Sequence, residues 1–455
     1  MSVSRSSTRI ALALALVATA ASASLRPHPS AQEQGGPLDK RYAKELSKLA
    51  EDWFEVRPVS RFEDWDAEVR AELEQRVAEF EPLPAGHLAE ATQILFEAAQ
   101  DEWPVPSPKG GKLTFETPWG EAWSFVGNTK KDEGFVVGLH GGGPGVGDAG
   151  AARSNWPIKE LAAAWPQAVR LDTDAWSTVH GERMVLSLID WAKIALGVDP
   201  DRVYSVGFSM GGTGTWHLAG RYPDLLAGAI PAHGVIMAAP KAQLPAPEDV
   251  TAMQHGVLPN VRNLAMYWYT GSVDRNCMPG TYLYAWKRLQ ELAAADEGGY
   301  VKQHFTLHEG LDHSFPGGEP GAGLEWIFEQ RRDTFPGTIV WEYATEPFPL
   351  QTDQDPLGRL EQHGLYWLGC DRPGDVMRVR ATRDGAHFVL DARGGRDFSI
   401  LLHPDMVPYG AEVTVVDAAG KVLYRGTPEP DLAVLFETFD ARLDRRLVFD
   451  RRIDL

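Results

Sequence analysis

The chain is short of three things. It has two cysteines in 455 residues, Cys277 and Cys370, which excludes a disulfide scaffold. They fall in regions of different character and read as two buried free thiols rather than a bridge. Lysine and arginine number 44 against 63 aspartates and glutamates, a formal net charge of −19. That deficit argues against a nucleic-acid partner and against docking on an anionic membrane. The chain also lacks an apolar run of transmembrane length, since the leading one, Ile10 to Ala18, is too short to span a bilayer. No internal repeat of fixed period is present.

The short apolar run follows Arg5 and Arg9 and precedes Ala21-Ser22-Ala23. Positive segment, apolar segment and small-x-small site, in that order, predict a cleavable signal peptide over 1–23 and a secreted or periplasmic protein. No cysteine follows the site, which argues against a lipid anchor. Hydrophobic and charged contents of 44% and 24% are those of a soluble globular protein. The length exceeds what one compact core holds, so more than one domain is expected.

Four regions follow from the patterning. Residues 24–37, rich in Pro, Ser, Gln and Gly, read as a flexible lead-in to a helical extension that ends near 110. Leu38, Tyr42, Leu46, Leu49 and Trp53 share one helical face. Phe62, Trp65, Val69, Leu73, Val77 and Phe80 predict a second helix stopped by Pro82, and Leu88 to Ala99 a third. From 111 to 335 strands alternate with helices. Leu113–Glu116 and Ala122–Phe125 predict a hairpin. Apolar runs at Phe135–Leu139, Ala168–Leu171, Val203–Val206, Leu226–Ile230 and Leu264–Tyr269 predict buried strands and Lys302–Leu307 is strand-like, with helices such as Arg183–Ile194 and Tyr282–Ala293 between them. This is the pattern of a wound, mostly parallel α/β sheet. From 336 to 455 short strands dominate: 338–343, 364–368, 376–381, 387–390, 398–402, 412–416, 421–424 and 447–449, with one helix at 431–443. They predict a β-rich, sandwich-like module.

The chemistry concentrates in the middle region. Gly207-Phe208-Ser209-Met210-Gly211 follows a strand-like run and precedes a helix-like one, the context in which G-x-S-x-G lifts a serine nucleophile onto a strained elbow. An acyl-transfer serine needs a base, a group orienting that base, and donors for the oxyanion. Asp274, in the loop after Leu264–Tyr269, is the candidate acid. His313, in the Gly- and Pro-rich loop after Lys302–Leu307, is the candidate base; His308, at the end of that strand, is its competitor. His140-Gly141-Gly142-Gly143-Pro144 offers the oxyanion loop, with donors at Gly141 and Gly142 and at the backbone N–H of Met210. His308-Glu309 to His313 is not a zincin H-E-x-x-H, because the second histidine is displaced by one position, and zinc is rejected. The glycines at 141–143 fit neither dinucleotide nor phosphate-loop spacing, and no cofactor is expected. Trp176, His180, Trp216, His233 and Trp268 read as core or rim residues rather than a pocket.

These motifs resemble the α/β-hydrolase superfamily, in its phospholipase/carboxylesterase, dienelactone-hydrolase-like and polyhydroxybutyrate-depolymerase or feruloyl-esterase-like branch. The resemblance covers residues of about 110–335 and includes Val198 to Tyr204 before the elbow. It implies Ser209 as nucleophile, His313 as base, Asp274 as acid, and a carboxylic ester, small or polysaccharide-linked, as substrate. Leu311-Asp312 stand where that branch often carries Gly-x-Gly before the histidine. The β-rich tail resembles modules appended to secreted bacterial hydrolases. A prolyl-oligopeptidase-like peptidase is the alternative, although no propeller segment is present; a non-catalytic binder on a hydrolase scaffold is the other.

Overall fold

A computed structural model describes residues 36–143, 146–169, 175–236, 258–277, 279–344, 356–374 and 376–455. The signal-peptide segment, most of the lead-in, Pro144 and Arg170-Leu171 lie outside the described residues. Three helices come first, α1 (Lys40–Glu55), α2 (Ala67–Ala78) and α3 (Leu88–Glu102). Asp39 caps α1, its carboxylate accepting from the N–H groups of Arg41 and Tyr42, and Tyr42, Leu46, Leu49 and Trp53 are buried along one stripe. The second helix starts later than its apolar spacing predicts. Asp66 caps it, so Phe62 and Trp65 precede it and Val69 turns outward, 37% exposed. The cap, not the stripe, sets the start.

Eight strands form the main sheet: β1 (Lys112–Thr117), β2 (Gly120–Gly127), β3 (Phe135–Leu139), β4 (Ala162–Pro166), β5 (Val203–Phe208), β6 (Gly228–Ala232), β7 (Ala265–Gly271) and β8 (Gln303–His308). Their spatial order is β1-β2-β4-β3-β5-β6-β7-β8. Only the pairings of β2, with β1 and with β4, are antiparallel; β4 through β8 run parallel. Every residue of β3 is buried. Phe135, Val137 and Leu139 pack into the cluster on one face and Val136 into that on the other, as a strand covered on both sides requires. The first face is covered by α5 (Val179–Ala195), α6 (Met210–Arg221) and α7 (Gly280–Ala295). The second is covered by the segment around α4 (Ala149–Asn155) and by α8 (Leu324–Phe328).

One strand departs from expectation. β4 occupies Ala162–Pro166, and Ala168 and Val169 of the expected run lie outside it. Alanine has low strand propensity, so Ala162-Ala163-Ala164 does not read as a strand; pairing on both sides with β2 and β3 overrides that preference. Trp165 fills the space over Gly138, where a Cβ would stand 2.7 Å from the indole.

The C-terminal region holds two further sheets. One orders β9 (Thr338–Ala344), β12 (Val376–Asp384), β13 (His387–Arg393), β15 (Val413–Asp417) and β16 (Val422–Gly426). The other orders β10 (Gly364–Leu365), β11 (Leu368–Arg372), β14 (Arg396–Leu402) and β17 (Arg451–Asp454). Both contribute to one hydrophobic cluster around Trp341, Trp367 and Leu402. The run at 364–368 is broken into a hairpin by Tyr366 at φ 53. The last strand is Arg451–Asp454, not 447–449. Leu447 and Phe449 are buried apolar residues outside any strand, while the pairing strand alternates polar and buried residues and hides its period behind a fully buried Arg451. Helix α9 (Leu432–Arg442) shares a hydrophobic cluster with α1, α2 and α3 through Leu435, Phe436 and Phe439, so the first and last of the described helices meet.

Candidate active site

Between β5 and α6 stands Ser209, at φ 58 and ψ −121. A side-chain-bearing residue held there costs about 1–3 kcal/mol, which the surrounding structure must offset. Neighbouring glycines make the turn possible. A Cβ on Gly207 would lie 2.1 Å from the Gly211 carbonyl oxygen, and one on Gly211 would lie 2.3 Å from that of Leu139. The elbow is tied on both sides. Ser209 N–H donates to the Ala232 carbonyl at 2.9 Å, and the Ser209 carbonyl accepts from Thr213 N–H at 3.0 Å.

His313 Nε2 lies 2.9 Å from Ser209 Oγ, and His313 Nδ1 lies 2.8 Å from Asp274 Oδ2. The two loops that carry these groups are zipped together. Ser272 N–H donates to the His308 carbonyl, Val273 N–H to the Leu311 carbonyl at 3.1 Å, and Gly310 N–H to Ser272 Oγ at 2.8 Å. Gly271 permits the approach, since a Cβ there would stand 2.1 Å from the Leu311 carbonyl oxygen. Leu311 thus serves through its backbone carbonyl, while Asp312 stands where the resembling branch often has glycine. His308 stays at the end of β8 with its ring against Tyr269.

The loop after β3 lies beside the serine. A Cβ on Gly141 would lie 3.3 Å from Ser209 Cβ. Gly142, at φ 131, begins a two-residue pairing, Gly142–Gly143 with Val146–Gly147. His140 anchors this loop. Its Nε2 accepts from Ala168 N–H at 3.1 Å, so its Nδ1 carries the proton and donates to the Gly141 carbonyl at 2.9 Å. Trp176 Nε1–H donates to the His140 carbonyl at 2.9 Å. Trp176 is therefore a buried prop of the loop. Met210 is the first residue of α6, where helix amides have no partner within the helix.

Asp274 is the best-satisfied carboxylate of the site. Its Oδ1 accepts from Asn276 N–H at 2.8 Å and Cys277 N–H at 2.9 Å, and its Oδ2 faces two imidazoles. Burial alone would raise its pKa; the hydrogen bonds from His233, His313 and the two amides outweigh that and hold it below the ordinary carboxylate value. It stays ionised, as a group that orients a histidine must. The second imidazole, His233, is missing from the sequence-derived site. Its Nδ1 lies 2.7 Å from Asp274 Oδ2. The available signal was a histidine between two small residues, Ala232 and Gly234, at the carboxyl end of a parallel strand, where ligand-facing groups gather. Trp216 and Trp268 stack edge to face in the core, and His180 is buried beside Thr178.

Among the described residues, His233, Asp274 and His313 are the one group of such ligand atoms close enough to hold a metal ion, all within 4.8 Å. A metal would need the lone pairs of both Nδ1 atoms and would break both hydrogen bonds to Asp274. It would also leave His313 Nε2 carrying its proton and donating toward Ser209 instead of accepting. The hydrogen-bonded arrangement fits proton transfer instead.

The wound sheet and the elbow are those of the α/β-hydrolase fold. Residues 163–258 match the family model described as the dienelactone hydrolase family. That stretch contains the elbow and His233 but ends before Asp274 and His313. Among solved structures, the chain is similar to a thermostable esterase at 23% identity and TM-score 0.35, over 49% of this chain and 62% of that one. The propionate-bound esterase 2 of the Planctomycetes species Thermogutta terrifontis overlaps at 17% identity and TM-score 0.36, over 49% of this chain and 93% of that one. No curated protein matches the chain. Among the described residues no helix is long and apolar enough to cross a membrane.

Proposed function

We propose that the protein is a secreted or periplasmic serine hydrolase that cleaves carboxylic esters through an acyl-enzyme. One observation carries the reading: Ser209 Oγ, His313 and Asp274 Oδ2 form one hydrogen-bonded chain at 2.9 and 2.8 Å. His313 Nε2 takes the serine proton as Oγ attacks the carbonyl carbon. Asp274 fixes the Nδ1–H tautomer and stabilises the imidazolium. The tetrahedral oxyanion is held by backbone N–H groups at Met210 and in the Gly141–Gly142 segment, each donor worth about 3–4 kcal/mol in the transition state. The oxyanion collapses, His313 gives its proton to the leaving alkoxide, and the alcohol departs. Water, deprotonated by His313, then releases the carboxylic acid and restores Ser209. The substrate is a small or polysaccharide-linked ester; neither metal nor organic cofactor has a step.

A fluorophosphonate probe tests the nucleophile. It labels the wild type and not Ser209→Ala; no label on the wild type, or equal label on both, sinks the reading. A panel of p-nitrophenyl acetate, butyrate, a feruloyl ester and a peptide anilide then tests the substrate class, and preference for the anilide would make the protein a peptidase. N-terminal sequencing of the exported protein tests removal of residues 1–23.

A further inference from the structure

The acid of the site serves two histidines, and the reaction above uses one. His233 follows β6, whose last residue, Ala232, accepts the Ser209 N–H bond. It is held at φ 49, and its own N–H donates to the Tyr269 carbonyl at 3.1 Å. The side chain is wholly buried. Its Nδ1 and that of His313 converge on the same oxygen, Asp274 Oδ2, at 2.7 and 2.8 Å. Its Nε2 is buried without a hydrogen-bond partner. Only the neutral ring with its proton on Nδ1 suits this setting, because a second proton would bury a donor with no acceptor. Asp274, His313 and His308 are the titratable groups acting on it, and the rings of Phe208, Tyr269 and His313 pack around it. Burial keeps its pKa below the usual histidine value, against the pull of Asp274.

We propose that His233 is a positioning residue for ester hydrolysis. Its Nδ1–H pins Asp274 Oδ2 in line with His313 and takes a fixed share of that oxygen's charge. It thereby sets how strongly the carboxylate supports a protonated His313. This rests on the serine-hydrolase reading. The sign follows from the sharing. Without the His233 donor, the full charge of Oδ2 faces His313 and favours the imidazolium, which cannot act as base. Asp274 also gains freedom to turn.

The test compares His233→Phe, which keeps a ring and removes the donor, with His233→Asn, which keeps an N–H near the Nδ1 position. The substrate is whichever panel ester the wild type cleaves. In His233→Phe the acidic limb of kcat/KM moves upward by about half a pH unit or more, and kcat per fluorophosphonate-labelled site falls about 10-fold with KM within about twofold. His233→Asn keeps the limb near that of the wild type. Proton NMR supplies a readout without turnover: two far-downfield imidazole N–H signals in the wild type, one in His233→Phe. An unmoved limb with unchanged kcat per labelled site overturns the proposal. So does a mere loss of labelable protein with an unmoved profile, which marks a structural role. Absence of both signals in the wild type, with their appearance on chelation, would place a metal between the imidazoles and overturn it as well. A wild type that takes no label defeats the hydrolase reading, while the two signals still report whether His233 donates to Asp274.

Discussion

The main sheet and the C-terminal sheets bury charged groups for opposite ends. Around the main sheet, Asp274, His313 and His233 converge on Ser209 from the ends of neighbouring parallel strands. In the C-terminal region the buried charges converge on the rest of the chain. Asp444 accepts from Lys193 Nζ at 3.1 Å and Arg332 Nη1 at 2.8 Å. Asp440 pairs with Arg57 at 2.7 Å, and Asp296, at the end of α7, binds Arg262 and also Arg380 of β12. Strand direction explains the contrast. Parallel strands deliver all their carboxyl ends to one edge, so the loops carrying an acid, a base and a nucleophile meet. Strands running both ways scatter their ends. Burial in β12 alternates outward and inward, with its exposed face free to carry arginines. The region of the main sheet holds the cluster at Ser209 as well as bolts such as Glu182 with Arg221; the C-terminal region holds bolts.

Four changes sharpen or break that contrast. Ser209→Ala has the largest effect, a loss of about 10⁴-fold or more in kcat with the melting temperature at or above that of the wild type, since a strained serine contributes nothing to stability; parallel kinetics and thermal melts check it. Asp444→Asn comes next. It leaves Lys193 buried with a neutral partner, while Arg332 keeps its pair with Asp201, and costs about 3–5 kcal/mol by chemical denaturation, with kcat per labelled site unchanged. A kcat change in still-folded Asp444→Asn would break the division between bolts and site.

Acid follows. Glu182 is buried. Desolvation would raise its pKa, but Arg221, His217 and Tyr222 outweigh it and hold it down, from 4.5 to about 2. Asp444 and Asp296 are likewise held down by their cations against the cost of burial. Depressed carboxylate pKa values contribute stability that is whole above the unfolded value and is lost as pH falls through the folded one. The melting temperature therefore begins to fall below about pH 6.5, where the buried histidines His140, His217, His233 and His403, all held below the usual value by desolvation, would charge in the unfolded chain, and it falls further between about 4.5 and 2 as the carboxylates protonate. Glu182→Gln flattens part of that fall, and an unchanged slope would show that its network is not the cause. Reducing agent has the smallest effect, namely none. Cys277 and Cys370 are both buried and in no disulfide, so melts with and without dithiothreitol coincide.

Much of the fold was legible because the relevant signals are local. The elbow glycines announce a turn with no room for a Cβ, and the unbroken run of β3 announces burial on both faces. The order of serine, acid and histidine announces loops at successive strand ends. Illegible parts depended on neighbours. The alanines of β4 become a strand only between β2 and β3, and Arg451 sits in a strand because the carbonyls of Val407 and Pro408 and the carboxylate of Asp450 receive its guanidinium. His233 had no motif. It matters only because β6 ends beside β7, forty-one residues from Asp274 along the chain.

By itself, then, the order of residues determined the wound sheet, the β-rich tail, the elbow at Ser209 and the candidate partners Asp274 and His313. Backbone sterics and apolar periodicity act over a few residues and are written in place. Only the tertiary structure decided that one oxygen of Asp274 serves two imidazoles, that the Leu311 carbonyl ties the histidine loop to the acid loop, and that the first of the described helices pack against the last. Those are pairings between distant segments. Their energy depends on distance and burial, which arise only once the strands are side by side.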